Sequence, residues 1–63
     1  MKYTINSLIS TLVTKGLAPK MSIGAIIGYK EETKEYLVEL FNVKKHPHYQ
    51  AYYVESELTI LNS

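Results

Sequence analysis

A run of β-branched residues interrupted by two glycines, residues 22–29, constrains the fold of this chain more than any other feature of its sequence. Isoleucine is enriched in strands, and Ile23, Ile26 and Ile27 follow one another closely here. Glycine inside a strand marks a bend, a bulge or a close approach of two backbones. The run therefore predicts one strand of a tightly curved antiparallel sheet.

The residues that follow this run are typical of a β-hairpin. Residues 30–35 are all polar, which predicts a solvated tip. Residues 36–41 form the returning strand. Glu39 should face water, and because successive side chains of a strand alternate between its two faces, the residues two positions before and after Glu39 should face outward as well. The residues predicted to face inward are Tyr36, Val38 and Leu40, and those predicted to lie outside are Leu37 and Phe41.

A loop and a further strand come next. Pro47 lacks the backbone donor that a central strand needs, so residues 42–49 are predicted to form a loop. Residues 50–54 resume the strand pattern. In this strand Tyr52 and Val54 are predicted to face inward and Tyr53 to lie on the other face.

Residues 6–15 support two interpretations. A helix is indicated by Asn6 or Ser7 as an N-cap, by Gly16 as a C-cap, and by four apolar residues on one helical face. Those four residues are Leu8, Ile9, Leu12 and Val13. Many residues of the same segment are β-branched, which makes them weak helix formers, and a five-stranded barrel needs its first strand here. We predict a strand, with a helix over residues 6–15 packed on a four-stranded antiparallel sheet as the alternative.

The order of these elements resembles that of SH3-like small β-barrels. Residues 53–61 carry the similarity most closely, because a strand, one short turn with a leucine and a last strand follow one another there. The resemblance implies a mainly β fold: a single domain over residues 1–63, built as a five-stranded antiparallel SH3-like barrel with a short 3₁₀ turn near Ser56–Leu58. Small phage and prophage accessory proteins of unknown function are similar in this respect.

The chain departs from the branch of that fold that binds proline-rich peptides. That branch has an Ala-Leu-Tyr-Asp-Tyr signature, an acidic first loop and a tryptophan on its binding face, and all three are missing here. The corresponding loop, residues 15–21, is basic. Recognition of proline-rich peptides is therefore not the expected activity.

Charge is unevenly distributed along the chain. Residues 1–30 carry four lysines and no acid, whereas residues 31–39 carry four glutamates and one lysine. The net charge is only +1, and nucleic-acid binders usually show a larger excess of basic residues. Residues 1–6 lack the apolar core of a secretory signal, and no run approaches the roughly 20 apolar residues of a membrane span. We expect a soluble cytoplasmic protein.

The sequence does not favour catalysis or metal binding. It contains no Cys and no Asp, and its serines lie in no nucleophile motif. Its two histidines, His46 and His48, sit in one loop, and two ligands are too few for a zinc site. We therefore expect no enzymatic activity, no metal and no cofactor.

Six tyrosines in 63 residues are the main indication of function. Three of them, Tyr3, Tyr36 and Tyr52, are predicted to belong to the core. The other three tyrosines are predicted to form an exposed aromatic surface together with one leucine and one phenylalanine. This surface consists of Tyr29, Leu37, Phe41, Tyr49 and Tyr53. Tyrosine is enriched where proteins bind proteins. The favoured hypothesis is a protein-binding module that regulates a host protein or its own kind, as a homo-oligomer, through this surface and an exposed strand edge.

Nucleic-acid binding is the alternative. The chain would then act like the KOW or Tudor-like small barrels, with lysines on phosphates and tyrosines stacked on bases. The lysines assigned to this role are Lys15, Lys20, Lys44 and Lys45. The absence of arginine and the small net charge make this the second choice.

Overall fold

The computed structural model describes residues 2–62, which form five strands and one short 3₁₀ turn. The strands are β1 Leu8–Thr11, β2 Ile23–Lys30, β3 Glu35–Leu40, β4 Tyr49–Val54 and β5 Leu58–Asn62, and the 3₁₀ turn is Glu55–Glu57. The mainly β prediction and the turn before the last strand are confirmed. The alternative of a helix over residues 6–15 is wrong, because β1 is held in extended form between β2 and β5.

All five strands belong to one antiparallel sheet with the order β4-β3-β2-β1-β5. In the part of the chain described, β4 and β5 are the two edges and no ladder joins them. The sheet is therefore open, and closure into the predicted barrel is not confirmed. No helix among residues 2–62 is long and apolar enough to cross a membrane.

The core lies on one face of the sheet and includes two residues from the connecting loops. It consists of Ile9, Ala18, Ile26, Tyr36, Val38, Leu40, Val43, Tyr53 and Leu58. The alternation predicted for β3 is confirmed, since Tyr36, Val38 and Leu40 are buried and Phe41 is 46% exposed. Leu37 is half-buried on the opposite face of the same strand.

The predicted phase of β4 is wrong. Tyr53 is fully buried, whereas Tyr52 is 41% exposed and Val54 is also exposed. The cause is the pairing of β3 with β4, which sets Tyr36 directly opposite Tyr53. Directly paired residues share a face of the sheet, so the inward position of Tyr36 places Tyr53 in the core. Tyr53 is thus not part of an exposed surface, and Tyr52 is not part of the core.

The two glycines of β2 have different structural roles. Gly24 lies opposite Leu40, and a Cβ at this position would collide with the carbonyl oxygen of Glu39 and lie 2.9 Å from Leu40 Cδ2. Gly28 follows the register shift that interrupts the β2–β3 ladder after Ile26. A Cβ there would lie 3.5 Å from Leu37 Cβ, which is an ordinary contact. Only Gly24 is required by close packing of two strands.

Gly24→Ala and Gly28→Ala should therefore differ sharply in the stability that chemical denaturation measures. Gly24→Ala should lower the free energy of unfolding by about 1–3 kcal/mol, because β2 and β3 must move apart. Gly28→Ala should change it by less than about 1 kcal/mol, since the added methyl group has space. Equal losses in the two variants would contradict the close approach at Gly24.

Candidate functional site

Three tyrosines stack at the end of the sheet that carries the β2–β3 hairpin. Tyr29 and Tyr36 are cross-strand partners, and their ring centroids lie 4.8 Å apart at 54°. Tyr3 also packs against Tyr36, with ring centroids 5.3 Å apart at 36°. Tilted aromatic pairs at these distances are attractive, so the three rings form one aromatic cluster.

The hydroxyl of Tyr36 holds the segment that precedes Thr4. It accepts a hydrogen bond from the backbone N–H of Lys2 at 2.8 Å and another from that of Tyr3 at 2.9 Å. The side chain of Lys2 reaches the 3₁₀ turn, where Nζ lies 3.3 Å from Glu55 Oε2. We call residues 2 and 3 the strap, because they connect β3 to the 3₁₀ turn.

A groove of about 730 Å³ opens beside this cluster. Its residues come from the strap, from the hairpin and from the junction of β4 with the 3₁₀ turn. They are Lys2, Tyr29, Glu31, Lys34, Tyr36, Val54, Glu55 and Ser56. Tyr36 lines the groove although it is only 2% exposed, so nearly all of its surface is covered by other residues. The groove thus combines two tyrosines with charged groups of both signs.

Tyr29 interacts electrostatically with two carboxylates that line the groove. Partial burial raises the pKa of the Tyr29 hydroxyl, and the charge of Glu31, the neighbouring Tyr36 and the charge of Glu55 raise it further. Tyr29 therefore stays protonated and neutral at physiological pH. The two carboxylates thus place negative charge close to the Tyr29 hydroxyl.

A second polar cluster lies at the outer edge of β4. Lys15 Nζ is 3.0 Å from Glu57 Oε1, donates to the carbonyl oxygen of Tyr52 at 2.9 Å and lies 5.0 Å above the ring of Tyr53. Glu57 Oε1 also accepts the backbone N–H of Val54 at 3.0 Å. This edge cluster ties the β1–β2 loop to the start of the 3₁₀ turn.

Glu57 titrates below its ordinary range because of these contacts. Partial burial raises its pKa, but the hydrogen bond from Val54 and the ammonium of Lys15 outweigh that effect, and the pKa falls below its usual value of 4.5. Lys15 is therefore engaged inside the molecule. A phosphate, as in the alternative function, would have to compete with Glu57 for this ammonium group.

The aromatic residues predicted to form one exposed surface lie far apart. Tyr29 is paired with Tyr36, and Tyr49 is paired with Leu40. These two partners are four positions apart in β3, so Tyr29 and Tyr49 are separated by about 13 Å along the strand. Phe41 lies beyond the Tyr49 end, and Leu37 is on the opposite face of β3. Of the five predicted residues, Tyr29 is the one that lines the groove in the described part of the chain.

Tyr49 has a structural role that its sequence context did not indicate. Its hydroxyl accepts the backbone N–H of Leu17 at 3.3 Å. Gly16 has φ +53°, and a Cβ on it would stand 2.5 Å from the same hydroxyl. The loop between β1 and β2 can therefore pack on Tyr49 because residue 16 is glycine.

The remaining candidates lie on exposed loops. Lys20, Lys44 and Lys45 are exposed, on the β1–β2 and β3–β4 loops. His46 meets the ring of Tyr49 edge-on at 6.2 Å, whereas His48 Nδ1 lies 2.8 Å from Glu39 Oε2. Within residues 2–62, no group of three or more His, Cys, Asp or Glu side chains is placed to hold a metal ion.

Most of the groove was not predicted from the sequence. Six of its residues were not assigned to a site, since their proximity depends on contacts between distant parts of the chain. They are Lys2, Glu31, Lys34, Val54, Glu55 and Ser56. One signal was available, because Tyr29 and Tyr36 flank the polar tip symmetrically, and a hairpin places such residues opposite each other.

Comparisons of this chain with protein-family models, with curated proteins and with solved structures gave no significant match. The geometry of the groove is therefore the basis on which a function can be assigned.

Replacing the two paired core tyrosines by phenylalanine should separate the roles of their hydroxyls. Tyr36→Phe should lower the free energy of unfolding by about 1–2 kcal/mol, because two backbone N–H groups lose their acceptor. The buried hydroxyl of Tyr53 has no hydrogen-bond partner among residues 2–62. Tyr53→Phe should therefore leave the stability unchanged or raise it. A larger loss in Tyr53→Phe than in Tyr36→Phe would contradict these assignments.

The contribution of Glu57 should depend on pH. Because its pKa is lowered in the folded chain, its stabilising effect is complete above about pH 4.5 and is lost as the pH falls through the folded value. Glu57→Gln should cost about 1 kcal/mol at pH 7, and its difference from the wild type should shrink below pH 4.5. Thermal unfolding from pH 7 to pH 3 measures this, with Glu32→Gln on the exposed hairpin tip as the matched control. A difference that is constant over this range would show that the ionised carboxylate is not the stabilising group.

Proposed function

We propose that this chain is a non-enzymatic protein-binding module and that the groove beside Tyr29 and Tyr36 is its binding site. The observation that carries the proposal is a cavity of about 730 Å³ lined by two tyrosines and by charged groups of both signs. Ligand pockets in proteins occupy roughly 300–1,000 Å³ and combine apolar area with a few polar groups that fix orientation.

The composition of the groove fits a protein partner. Tyrosine provides a large contact area with few rotatable bonds and is enriched at the centres of interfaces. Glu31 and Lys34 on the hairpin tip and Glu55 on the 3₁₀ turn line the groove together with the two tyrosines. Charged groups in such positions contribute specificity and association rate more than affinity.

We further propose that the fold is an SH3-like small barrel and that the module is an accessory protein of a phage or mobile element, which regulates a host protein or its own kind. What supports the fold is the short turn between β4 and β5, followed by the buried Leu58, as the resemblance implies. The source and the regulatory role rest on the resemblance alone.

Nucleic-acid binding through lysines is less well supported. One of the four lysines assigned to it, Lys15, is bound to Glu57 and to the backbone of Tyr52. Lys20, Lys44 and Lys45 are the remaining contacts. Three lysines give a weak electrostatic footprint beside a net charge of +1.

Affinity capture from host lysate with two tryptophan variants tests the site. Ser56 lines the groove and is exposed, so Ser56→Trp should fill the groove without disturbing the core. Gln50 is exposed on β4 outside the groove, and Gln50→Trp is the matched control. After nuclease treatment, wild type and Gln50→Trp should retain the same protein, and Ser56→Trp should lose at least about 90% of it, a tenfold effect or about 1.4 kcal/mol.

Two results would contradict the proposal. If Ser56→Trp retains the partner as well as Gln50→Trp does, the binding site lies elsewhere. If the nuclease releases everything bound to the wild type, the exposed lysines and not the groove make the functional contact.

A further inference from the structure

The strap already makes in the groove the contacts that a bound peptide would make. Two consecutive backbone N–H groups donate to the hydroxyl of Tyr36, an ammonium lies 3.3 Å from Glu55, and an aromatic ring packs on Tyr36. A hydroxyl oxygen has two lone pairs, and the strap uses both. The ring of Tyr3 is also within 5.8 Å of Lys2 Nζ, so the two strap side chains lie together.

The strap is held by one exposed ion pair, by two partly buried hydrogen bonds to Tyr36 and by the packing of Tyr3 against the core. The Lys2–Glu55 ion pair is largely exposed on both sides, and such pairs contribute little stability. The chain is fixed again just after the strap. The side-chain hydroxyls of Thr4 and Ser7 are hydrogen-bonded to each other, and the backbone N–H of Ser7 donates to the carbonyl oxygen of Thr4. The backbone N–H of Asn6 donates to the carbonyl oxygen of Ile26. Residues 2 and 3 belong to no strand, so displacing the strap would break its contacts with Tyr36 and Glu55 but no hydrogen bond of a sheet ladder.

The charge of the groove depends on whether the strap is in place. With the strap bound, two lysines and two glutamates line the groove. When the strap leaves, Lys2 leaves with it, and Glu31 and Glu55 face Lys34 alone. The charges of the same two carboxylates act on Tyr29, whose pKa they raise. The vacated groove therefore attracts an occupant that brings a positive charge and an aromatic ring.

We infer that the strap, which forms one wall of the groove, covers part of the binding site, and that the partner is an extended protein segment with Lys or Arg directly before an aromatic residue, which takes over the strap's contacts with Tyr36 and Glu55. This inference rests on the proposed function, since it names the partner chemistry of the same groove. The strap and the partner compete for the Tyr36 hydroxyl, for Glu55 and for the ring of Tyr36. Weakening the strap should therefore increase the affinity for the partner.

A peptide titration followed by NMR tests this competition. The probes are acetyl-Gly-Lys-Phe-Gly-amide and its counterpart with Glu in place of Lys. The strap variant is Lys2→Ser with Tyr3→Ser. The matched control is Lys30→Ser with Tyr52→Ser. Like the lysine and tyrosine of the strap, these two side chains lie together, with Lys30 Nζ 5.0 Å over the ring of Tyr52, but neither of them lines the groove. Lys2→Ser alone retains the packing of Tyr3 and guards against misfolding of the double variant.

The lysine peptide should shift the backbone resonances of Tyr29, Glu31, Glu55 and Ser56. It should bind about fivefold more tightly to the strap variant than to the wild type, and Lys2→Ser alone should give a smaller gain. The control variant should bind like the wild type. The glutamate peptide should bind at least about tenfold more weakly than the lysine peptide.

Three results would overturn the inference. Equal affinity of the lysine peptide for wild type, strap variant and Lys2→Ser would show that the strap does not compete. Equal or tighter binding of the glutamate peptide at the groove resonances would refute the basic partner while the groove remained a binding site. Absence of groove shifts with both peptides in every variant would refute the inference, and the capture by wild type against Ser56→Trp would then decide separately on the proposed function.

Discussion

The burial of Tyr36 opposite Tyr53 is the contact on which the rest of this small structure depends. The pair fixes the phase of β3 relative to β4, and with it the face on which every side chain of these two strands lies. A shift of one residue would move Tyr53 out of the core and Tyr52 into it. The same ring of Tyr36 contacts both Tyr3 and Tyr29, and Tyr36 belongs to the core as well as to the lining of the groove. Its ring contributes to the core, while its hydroxyl holds the strap.

Much of the sheet could be predicted from local patterns. The polar tip and the alternation around Glu39 place the β2–β3 hairpin and its inward residues correctly, because one face of β3 is apolar and the other contains a charge. In β4 both faces carry apolar or aromatic residues, so the pattern alone could not determine the phase. The local pattern was also insufficient to decide between strand and helix for β1. This segment is a strand because it pairs with β2 and β5, and β5 lies far from it in the sequence.

The candidate site was harder to predict for the same physical reason. Tyr29 could be assigned to binding from residue type alone, but a groove is formed by parts of the chain that meet only after folding. Lys2 bonds to a residue 34 positions away, and its side chain reaches Glu55, near the other end of the described residues. The tyrosines expected to form one surface are spread over both ends and the interior of the sheet, because each follows the phase of its own strand.

The two edges of the open sheet carry features that limit the addition of a further strand. Tyr52 and Val54 are two residues apart, so their backbone groups point to the same side of β4, away from β3. On that side the carbonyl of Tyr52 accepts from Lys15 Nζ, and the N–H of Val54 donates to Glu57. On the other edge, a register shift between Leu8 and Ile9 interrupts the pairing of β1 with β5. Charged side chains and bulges are devices that protect sheet edges from pairing with another chain. Both edges therefore carry features that oppose pairing with another chain, whereas the side chains of the groove, among them Tyr29, Glu31 and Glu55, combine aromatic area and charge.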